Sequence, residues 1–248
     1  MSVANFSDGG YRYIEGMFQY SGGAAAQPGF EIVRARFLRP LPLAEGFRAV
    51  EAHMKAEGRA TTAFCACELR SPAPFTEQGF IDFNRVYVQT LERWGLYRNG
   101  VNPVARTNVC PAYDPPPAPA LYAFSYTVPS KSGRGSFIVS GSGEAPEGKP
   151  NYRDYVIRPN DVSVEGLREK MRFVLAEMQR RLAALGFSWS DATSTQAYTV
   201  CDIGPLVGKE LVAPGAARDA LGWHFCRPPV VGLDYEMDVR GVAQELLL

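Results

Sequence analysis

Five cysteines and two histidines are the first residues to consider for nucleophilic, redox or metal chemistry. Cys65 and Cys67 alternate along a predicted strand, so both side chains point to one face of it. The sequence has no CxxC pair and no matching histidine cluster, which leaves a zinc or redox site open but favours small, buried, hydrophobic cysteines. His53 and His224 stand in no recognisable motif, so a histidine-dependent triad has little support. We predict no metal site.

Charged side chains stand at three further positions where proton transfer or anion binding could occur. Glu144 follows the glycine-rich turn SGSG, and Glu236 alternates with Asp238 along a predicted strand. A glutamate can exchange a proton with a substrate. A Glu144 side chain that is solvated in a loop would carry no chemistry. The same holds for Glu236 and Asp238 if their side chains face solvent or a subunit interface. Arg106 opens another predicted strand. Its planar guanidinium suits a carboxylate, although a strand arginine more often forms a surface ion pair.

The elements that must position these residues follow one order in the first half of the chain. Residues 11–20 and 30–38 are rich in aromatic and β-branched residues and predict a pair of strands around the stretch SGGAAAQPG. Apolar residues at helical spacing predict helices over 43–57 and 77–94. Further strands are predicted over 61–69, 106–112 and 120–128.

The second half repeats this order. We predict strands over 136–140, 152–158, 192–200 and 230–239, a helix over 164–185, and a helix or irregular segment over 204–219. Each half is then β-β-α-β-α-β, with a boundary near the stretch PSKSGRG. The fold class is α+β, with tandem domains over 1–130 and 131–248, and with helices packed on one face of a mixed, mostly antiparallel sheet.

Several of these segments resemble the RidA (YjgF-type) imine and enamine deaminase family. FIDFNRVYVQTLERWG followed by NPVARTNVCPAYDPPPAP resembles its helix F-x-x-x-N-x-x-Y and its strand P-A-R-[ST]-x-V. The matching residues are Phe80, Asn84, Tyr87, Arg106, Thr107 and Val109. In the second half, SFIVSGSGEAPEGK resembles the strand that ends in SGQxP, and RPPVVGLDYEMDVRGVA is similar to the closing strands. The resemblance covers most of both halves.

The resemblance implies a chemistry and a set of site residues. RidA-type proteins hydrolyse 2-imino or 2-enamino acids to 2-oxo acids and ammonia without metal or organic cofactor, and some relatives deaminate 2-aminomuconate in aromatic-ring degradation. Arg106 would anchor the substrate carboxylate, with Glu144 and Glu236 as candidates for proton donor and water-orienting group. The implied substrate-binding residues are Asn84, Asn108, Ser140, Gly141 and Arg227. Ser140 and Gly141 would join Arg106 in a composite site, unless they form only a strand-end turn.

Two departures from the family pattern keep alternatives open. SGSGEAP has two residues more than SGQxP, and Tyr122 occupies the position where the family often has a water-activating glutamate. The second feature favours a non-catalytic module that binds small carboxylates. A chorismatase-like hydrolase is a further alternative. Arg227 is either a second carboxylate anchor, suited to a dicarboxylate substrate, or a structural residue without contact to substrate.

The charge composition of the chain limits the kinds of partner that it is expected to bind. Lys plus Arg and Asp plus Glu number 26 each, so no basic field favours nucleic acid or an anionic membrane. The N-terminal sequence lacks the pattern of a signal peptide, and no stretch approaches the roughly 20 apolar residues of a membrane span. We expect a cytoplasmic protein. An open sheet face predicts homo-oligomerisation; the family resemblance favours a trimer and leaves a hexamer open.

Overall fold

Two mixed sheets contain the strands of the protein in a computed structural model that describes residues 1–217 and 221–248. In these residues, one sheet has seven strands in the spatial order β1 (Val3–Phe6), β2 (Tyr11–Ile14), β3 (Gly23–Ala26), β8 (Phe137–Gly143), β12 (Glu236–Gly241), β9 (Ser194–Tyr198) and β10 (Leu221–His224). The other has six, in the order β11 (Cys226–Arg227), β6 (Ala105–Pro111), β5 (Phe64–Arg70), β7 (Ala120–Pro129), β4 (Phe30–Pro42) and β13 (Gln244–Leu247). Antiparallel pairs outnumber parallel pairs in both sheets, as predicted.

Helices cover the outer face of each sheet. They are α1 (Leu43–Ala56), α2 (Glu77–Arg93), α3 (Val164–Ala184) and α4 (Gly204–Val207), which continues into a π-helical turn, Gly208–Val212. The side chains of Thr76 and Ser163 cap α2 and α3, which explains where these helices begin. Helices α1 and α2 pack on the six-stranded sheet, and α3 packs on the seven-stranded sheet. No helix in the described residues is both long and apolar enough to cross a membrane.

The inner faces of the two sheets pack against each other. One apolar cluster there combines Tyr11 and Ala24 of the seven-stranded sheet with Ile32, Cys65 and Ala105 of the six-stranded sheet. The protein is therefore layered helix, sheet, sheet, helix, which confirms the α+β class and the helices on one face of each sheet. Each sheet covers the face that the helices leave open in the other.

A buried ion pair also lies on the inner face of the six-stranded sheet. Arg34 donates to both carboxylate oxygens of Glu68, at 2.6 and 2.9 Å. Burial alone would raise the pKa of Glu68, but the Arg34 guanidinium lowers it to about 2. Arg34 also pairs with Glu245 on β13 at 3.4 Å. The bidentate geometry joins β4 and β5 in a fixed arrangement.

Strands from both ends of the chain cross between the predicted halves. The N-terminal strands β1 to β3 join the seven-stranded sheet, where Ala24 pairs with Ile138. The last strand, β13, joins the six-stranded sheet, where Gln244 pairs with Val33. The division into domains 1–130 and 131–248 stays a prediction, and neither sheet is built from one of these segments alone.

The predicted pairing of residues 11–20 with residues 30–38 is wrong. Strand β2 pairs with β1 and β3, whereas β4 pairs with β7 and β13 in the other sheet. The partner of β2 is Gly23–Ala26, which lies inside the stretch that sequence reading took for a turn. Glycine and alanine have low strand propensity, but Ala24 and Ala25 are fully buried here, and tertiary packing determines the conformation.

The prediction of a strand over 152–158 is also wrong, because local side-chain hydrogen bonds and backbone conformation form turns there. The side-chain oxygen of Asn151 accepts from the Asp154 amide at 2.8 Å, and Arg158 has a φ of 50°. The final predicted strand, 230–239, begins only at Glu236, and β13 follows it. Of the segment predicted over 204–219, helical turns reach Val212, while 218 and 219 lie outside the described residues.

Replacing Leu182 with alanine tests the packing of α3. Leu182 is buried in the core of the seven-stranded sheet, whereas Leu38 is 69% exposed. We expect Leu182→Ala to lower the free energy of unfolding by about 2–5 kcal/mol, because it removes buried methyl groups and leaves a cavity. Leu38→Ala should change it by less than about 0.5 kcal/mol. Urea unfolding measures both, and equal effects would contradict the layer assignment.

Candidate functional site

Arg106 is held between β6 and α2. It stands on β6, where alternation places the side chain of Asn108 on the same face. One guanidinium nitrogen, Nη1, donates to Oδ1 of Asn84 on α2 at 2.5 Å. Asn84 in turn donates to the Phe80 carbonyl at 2.6 Å, so its amide is fixed in orientation. Asn84 is fully buried and acts on the site through Arg106.

The guanidinium of Arg106 is buried among aromatic rings. Its central carbon lies 4.8 Å from the ring centre of Tyr87 and 4.9 Å from that of Tyr20, distances at which rings stabilise a cation. In the described part of the chain, Arg106 forms no ion pair, and its second terminal nitrogen, Nη2, has no hydrogen-bond partner. The side-chain nitrogen of Asn108 is likewise buried and without a partner there, while its oxygen accepts from Ser71 at 2.9 Å. Two donors are thus free for a ligand.

Strand β8 of the other sheet approaches β6 closely at this point. The Ser140 hydroxyl accepts from the Arg106 backbone amide at 3.0 Å and donates to the Ser21 carbonyl at 2.6 Å. At the next residue, a Cβ atom on Gly141 would overlap with Oε1 of Glu236. A side chain at position 141 would therefore displace the Glu236 carboxyl from its place beside β8.

Glu236 is a buried carboxyl that faces the free donors. Burial raises its pKa well above the usual 4.5, and the nearby carboxyls of Asp238 and Glu144 raise it further. Arg106 acts in the opposite direction but does not reverse the effect. Burial therefore favours the protonated form of Glu236, which can donate a proton.

Glu144 has a supporting position. It is fully buried, so the expectation of a solvated loop position is wrong. Its two carboxylate oxygens accept from the backbone amides of Asp234 (2.5 Å) and Tyr235 (3.1 Å), and Lys170 lies 3.5 Å away. These bonds fix the segment that leads into Glu236. Glu144 is not among the described residues that line the cleft.

A cleft of about 450 Å³, partly open to solvent, lies in front of these groups. Its lining includes the predicted residues Arg106, Asn108, Gly141 and Glu236, together with Tyr20, Phe80, Ser142, Gly143, Ala145, Glu147, Tyr152, Pro229, Val230 and Leu233. Apolar side chains around a few convergent polar groups are typical of a site for a small molecule. Residues from both halves contribute, as the composite-site prediction requires.

Two predicted positions lie elsewhere. Arg227 is exposed on β11, opposite Cys110, and is not among the described residues that line the cleft. Tyr122 stacks under Arg70, whose guanidinium carbon is 4.0 Å from the ring centre. The role of Arg227 as a second anchor stays a prediction.

Four polar residues of the cleft were not predicted from the sequence: Tyr20, Ser142, Glu147 and Tyr152. Burial raises the pKa of Tyr152 to about 12, so its hydroxyl stays protonated. Glu147 lies three residues after Glu144 in the same glycine-rich segment, and the motif alone did not distinguish the two. Tyr20 and Tyr152 lie in segments interpreted as strands, without a motif that marks them.

Comparisons with known proteins agree on one family. A family profile described as 2-aminomuconate deaminase CnbZ matches residues 3–246. A 2-amino-5-chloromuconate deaminase from Comamonas testosteroni is 60% identical over 245 residues, which are 98% of this chain and 98% of that protein. The alignments thus cover both sheets and every residue of the cleft.

A solved structure resembles this fold over most of the chain. A chorismatase aligns with a TM-score of 0.50 and 14% identity, covering 92% of this chain and 79% of its own. The YjgF gene product from E. coli aligns with 44% of this chain and 80% of its own, with 17% identity and a TM-score of 0.32. At these identities the likeness concerns the fold alone.

Replacing Glu236 with glutamine tests its protonation state. A raised pKa in the folded state means that the folded protein keeps a proton that the unfolded chain releases above about pH 4.5. The stability contributed by this proton is present at low pH and is lost as the pH rises toward the folded-state pKa. We therefore expect Glu236→Gln to gain stability over the wild type by up to about 1.4 kcal/mol per pH unit in that range. Urea unfolding from pH 4 to 8 measures it, and a difference independent of pH would contradict the assignment.

Proposed function

The chain belongs to the 2-aminomuconate deaminase family, and from this premise we propose that it hydrolyses a 2-aminomuconate-type enamine carboxylate and releases ammonia. The observation that carries the proposal is the buried, unpaired guanidinium of Arg106 in the described part of the chain. A buried charge without a counter-ion is costly. A substrate carboxylate in the cleft would supply the missing counter-ion.

Substrate binding follows from the two free donors. Nη2 of Arg106 and the side-chain nitrogen of Asn108 both face the cleft and can hold one carboxylate. Asn84 and the aromatic rings keep the guanidinium in place before the substrate arrives. The bound carboxylate then sets the orientation of the enamine, because the carbon that bears the amino group is directly attached to this carboxylate.

The first chemical step is protonation of the enamine at carbon. Glu236 supports this role because it lines the same cleft and because burial raises its pKa, which favours the protonated form. Proton transfer converts the C=C–NH₂ group to an iminium ion and leaves Glu236 as a carboxylate. Arg106 and Arg181 then favour the negative charge that Glu236 acquires. Water adds to the iminium carbon, and ammonia leaves from the resulting carbinolamine.

Oligomerisation and location remain proposals. Trp223 and Phe225 are exposed on β10 and between β10 and β11, and Phe225 stacks on exposed Tyr113 at 5.4 Å. Such an apolar patch beside two edge strands supports a homo-oligomer, for which a trimer is favoured. The cytoplasmic location inferred from the sequence also stays a prediction.

The decisive variant is Arg106→Ala, with Arg85→Ala as its control. Arg85 is a surface arginine on α2, 68% exposed. We expect Arg106→Ala to lower kcat/KM for ammonia release from 2-aminomuconate on the order of 10²–10³-fold, because a buried charge contact with the substrate is lost. Arg85→Ala should retain activity.

Unchanged activity in a folded Arg106→Ala variant would refute this carboxylate anchor. Substrate binding by the wild-type protein without ammonia release would instead indicate the non-catalytic binding module. Arg227→Ala, measured alongside, tests the second anchor: a rise in KM specific to dicarboxylates supports it, and an unchanged KM removes it.

A further inference from the structure

Glu147 separates the cleft from a neighbouring groove. It lines the cleft and also a groove against α3, which Phe173, Glu177 and Arg180 border. About a quarter of its side chain is exposed to solvent, unlike the fully buried Glu144. Glu147 therefore borders both spaces and is partly accessible to solvent.

The two carboxylate oxygens of Glu147 differ in their contacts. Oε1 accepts from the Tyr20 hydroxyl at 3.2 Å and forms an ion pair with Nη2 of Arg181 at 3.0 Å. Oε2 has no hydrogen-bond partner among the described residues. One oxygen thus fixes the carboxylate, and the other is free to accept a hydrogen bond from water.

Arg181 holds this arrangement from α3. It is fully buried, and its Nε donates to Glu177 at 2.8 Å. Its Nη1 reaches the carbonyls of Gly22 (3.4 Å) and Ser140 (3.3 Å), so β3 and β8 also restrain it. A guanidinium restrained from several sides orients Glu147 without touching the substrate. Arg181 is therefore a positioning residue.

We propose that Glu147 is the general base that activates the hydrolytic water, a role that rests on the proposed deaminase function. The other two candidate glutamates do not fit this role. Glu144 uses both oxygens on backbone amides. Glu236 lines the cleft beside Arg106, and burial raises its pKa, so it is assigned to the acid that begins the reaction. Glu147 has both an open oxygen and access to solvent.

The proton transfers balance over the reaction. Water forms a C–O bond to the iminium carbon as Glu147 takes a water proton, and the C=N π electrons move to nitrogen. Glu147 then returns this proton to nitrogen, and ammonia leaves with the C–N bond electrons. The hydroxyl proton passes to Glu147 as the C=O bond forms. Glu147 then releases this last proton to solvent, and Glu236 takes up a proton from solvent. Both carboxyl groups are thereby restored, and the net reaction is enamine plus water to ketone plus ammonia.

The test separates protonation from hydration in a single turnover. Enzyme in excess is mixed with 2-aminomuconate and quenched with borohydride, which reduces an imine to a 2-amino acid but leaves the enamine intact. Wild-type protein should release ammonia with little trapped imine. Glu147→Gln should accumulate trapped imine and release ammonia on the order of 10²-fold more slowly. Glu236→Gln should retain the enamine.

Glu165→Gln is the matched control. It makes the same chemical change on α3, where the Glu165 side chain is 68% exposed and is not among the described residues that line the cleft. Ammonia release should stay close to the wild-type rate. Equal loss in both glutamine variants would assign Glu147 a merely structural role and overturn the proposal.

A conservative variant guards against misfolding. Glu147→Asp keeps the carboxylate, and we expect a rate between those of the wild type and Glu147→Gln. Rapid ammonia release by folded Glu147→Gln would also overturn the proposal while leaving the deaminase function intact. If the wild-type protein itself releases no ammonia, the proposed function fails, and the role of Glu147 fails with it.

Discussion

The close approach of β6 to β8 is the constraint on which the site depends. The backbone of Arg106 donates to the Ser140 hydroxyl across the two sheets, and the absence of a side chain at Gly141 admits Glu236. Carboxylate binding by Arg106 and proton donation by Glu236 therefore come from different sheets, and the two groups meet only where these sheets touch. Any shift between the layers would separate the anchor from the acid. The apolar packing between the sheets thus maintains the catalytic distance as well as stability.

Three buried arginines differ in whether a carboxylate neutralises their charge, and this difference separates structural arginines from a functional one. Arg34 has two bonds to Glu68, and Arg181 pairs with Glu147 and Glu177. Arg106 instead has an amide oxygen and aromatic rings, which stabilise a cation without neutralising it. An uncompensated buried ion costs several kcal/mol. The fold tolerates this cost at one point, and a ligand of opposite charge relieves it there.

Sequence reasoning predicted the cleft residues that carry motifs and missed those defined by tertiary contact. Arg106 and Glu236 lie on strands in which residue types alternate clearly. This alternation indicates the face of the sheet on which each side chain lies. Glu144 and Glu147 share one glycine-rich segment, and only the folded chain shows which carboxylate meets backbone amides and which meets the cleft. Strand β3 was missed for a similar reason, since its glycine and alanines suit a crowded position that no local propensity reveals. The helices, whose apolar periodicity is long, were predicted nearly to their ends.

The crossing of terminal strands between sheets has a consequence for how the protein reaches its native state. Arg34 and Glu245, which meet in the six-stranded sheet, are 211 residues apart in sequence. Contacts of such separation close large loops, which carries an entropic cost and slows folding. During synthesis the early strands leave the ribosome long before their partner strands. Neither sheet can therefore be complete until the distant segments of the chain have been made. Because the site takes residues from both sheets, it is complete only after these distant segments have joined.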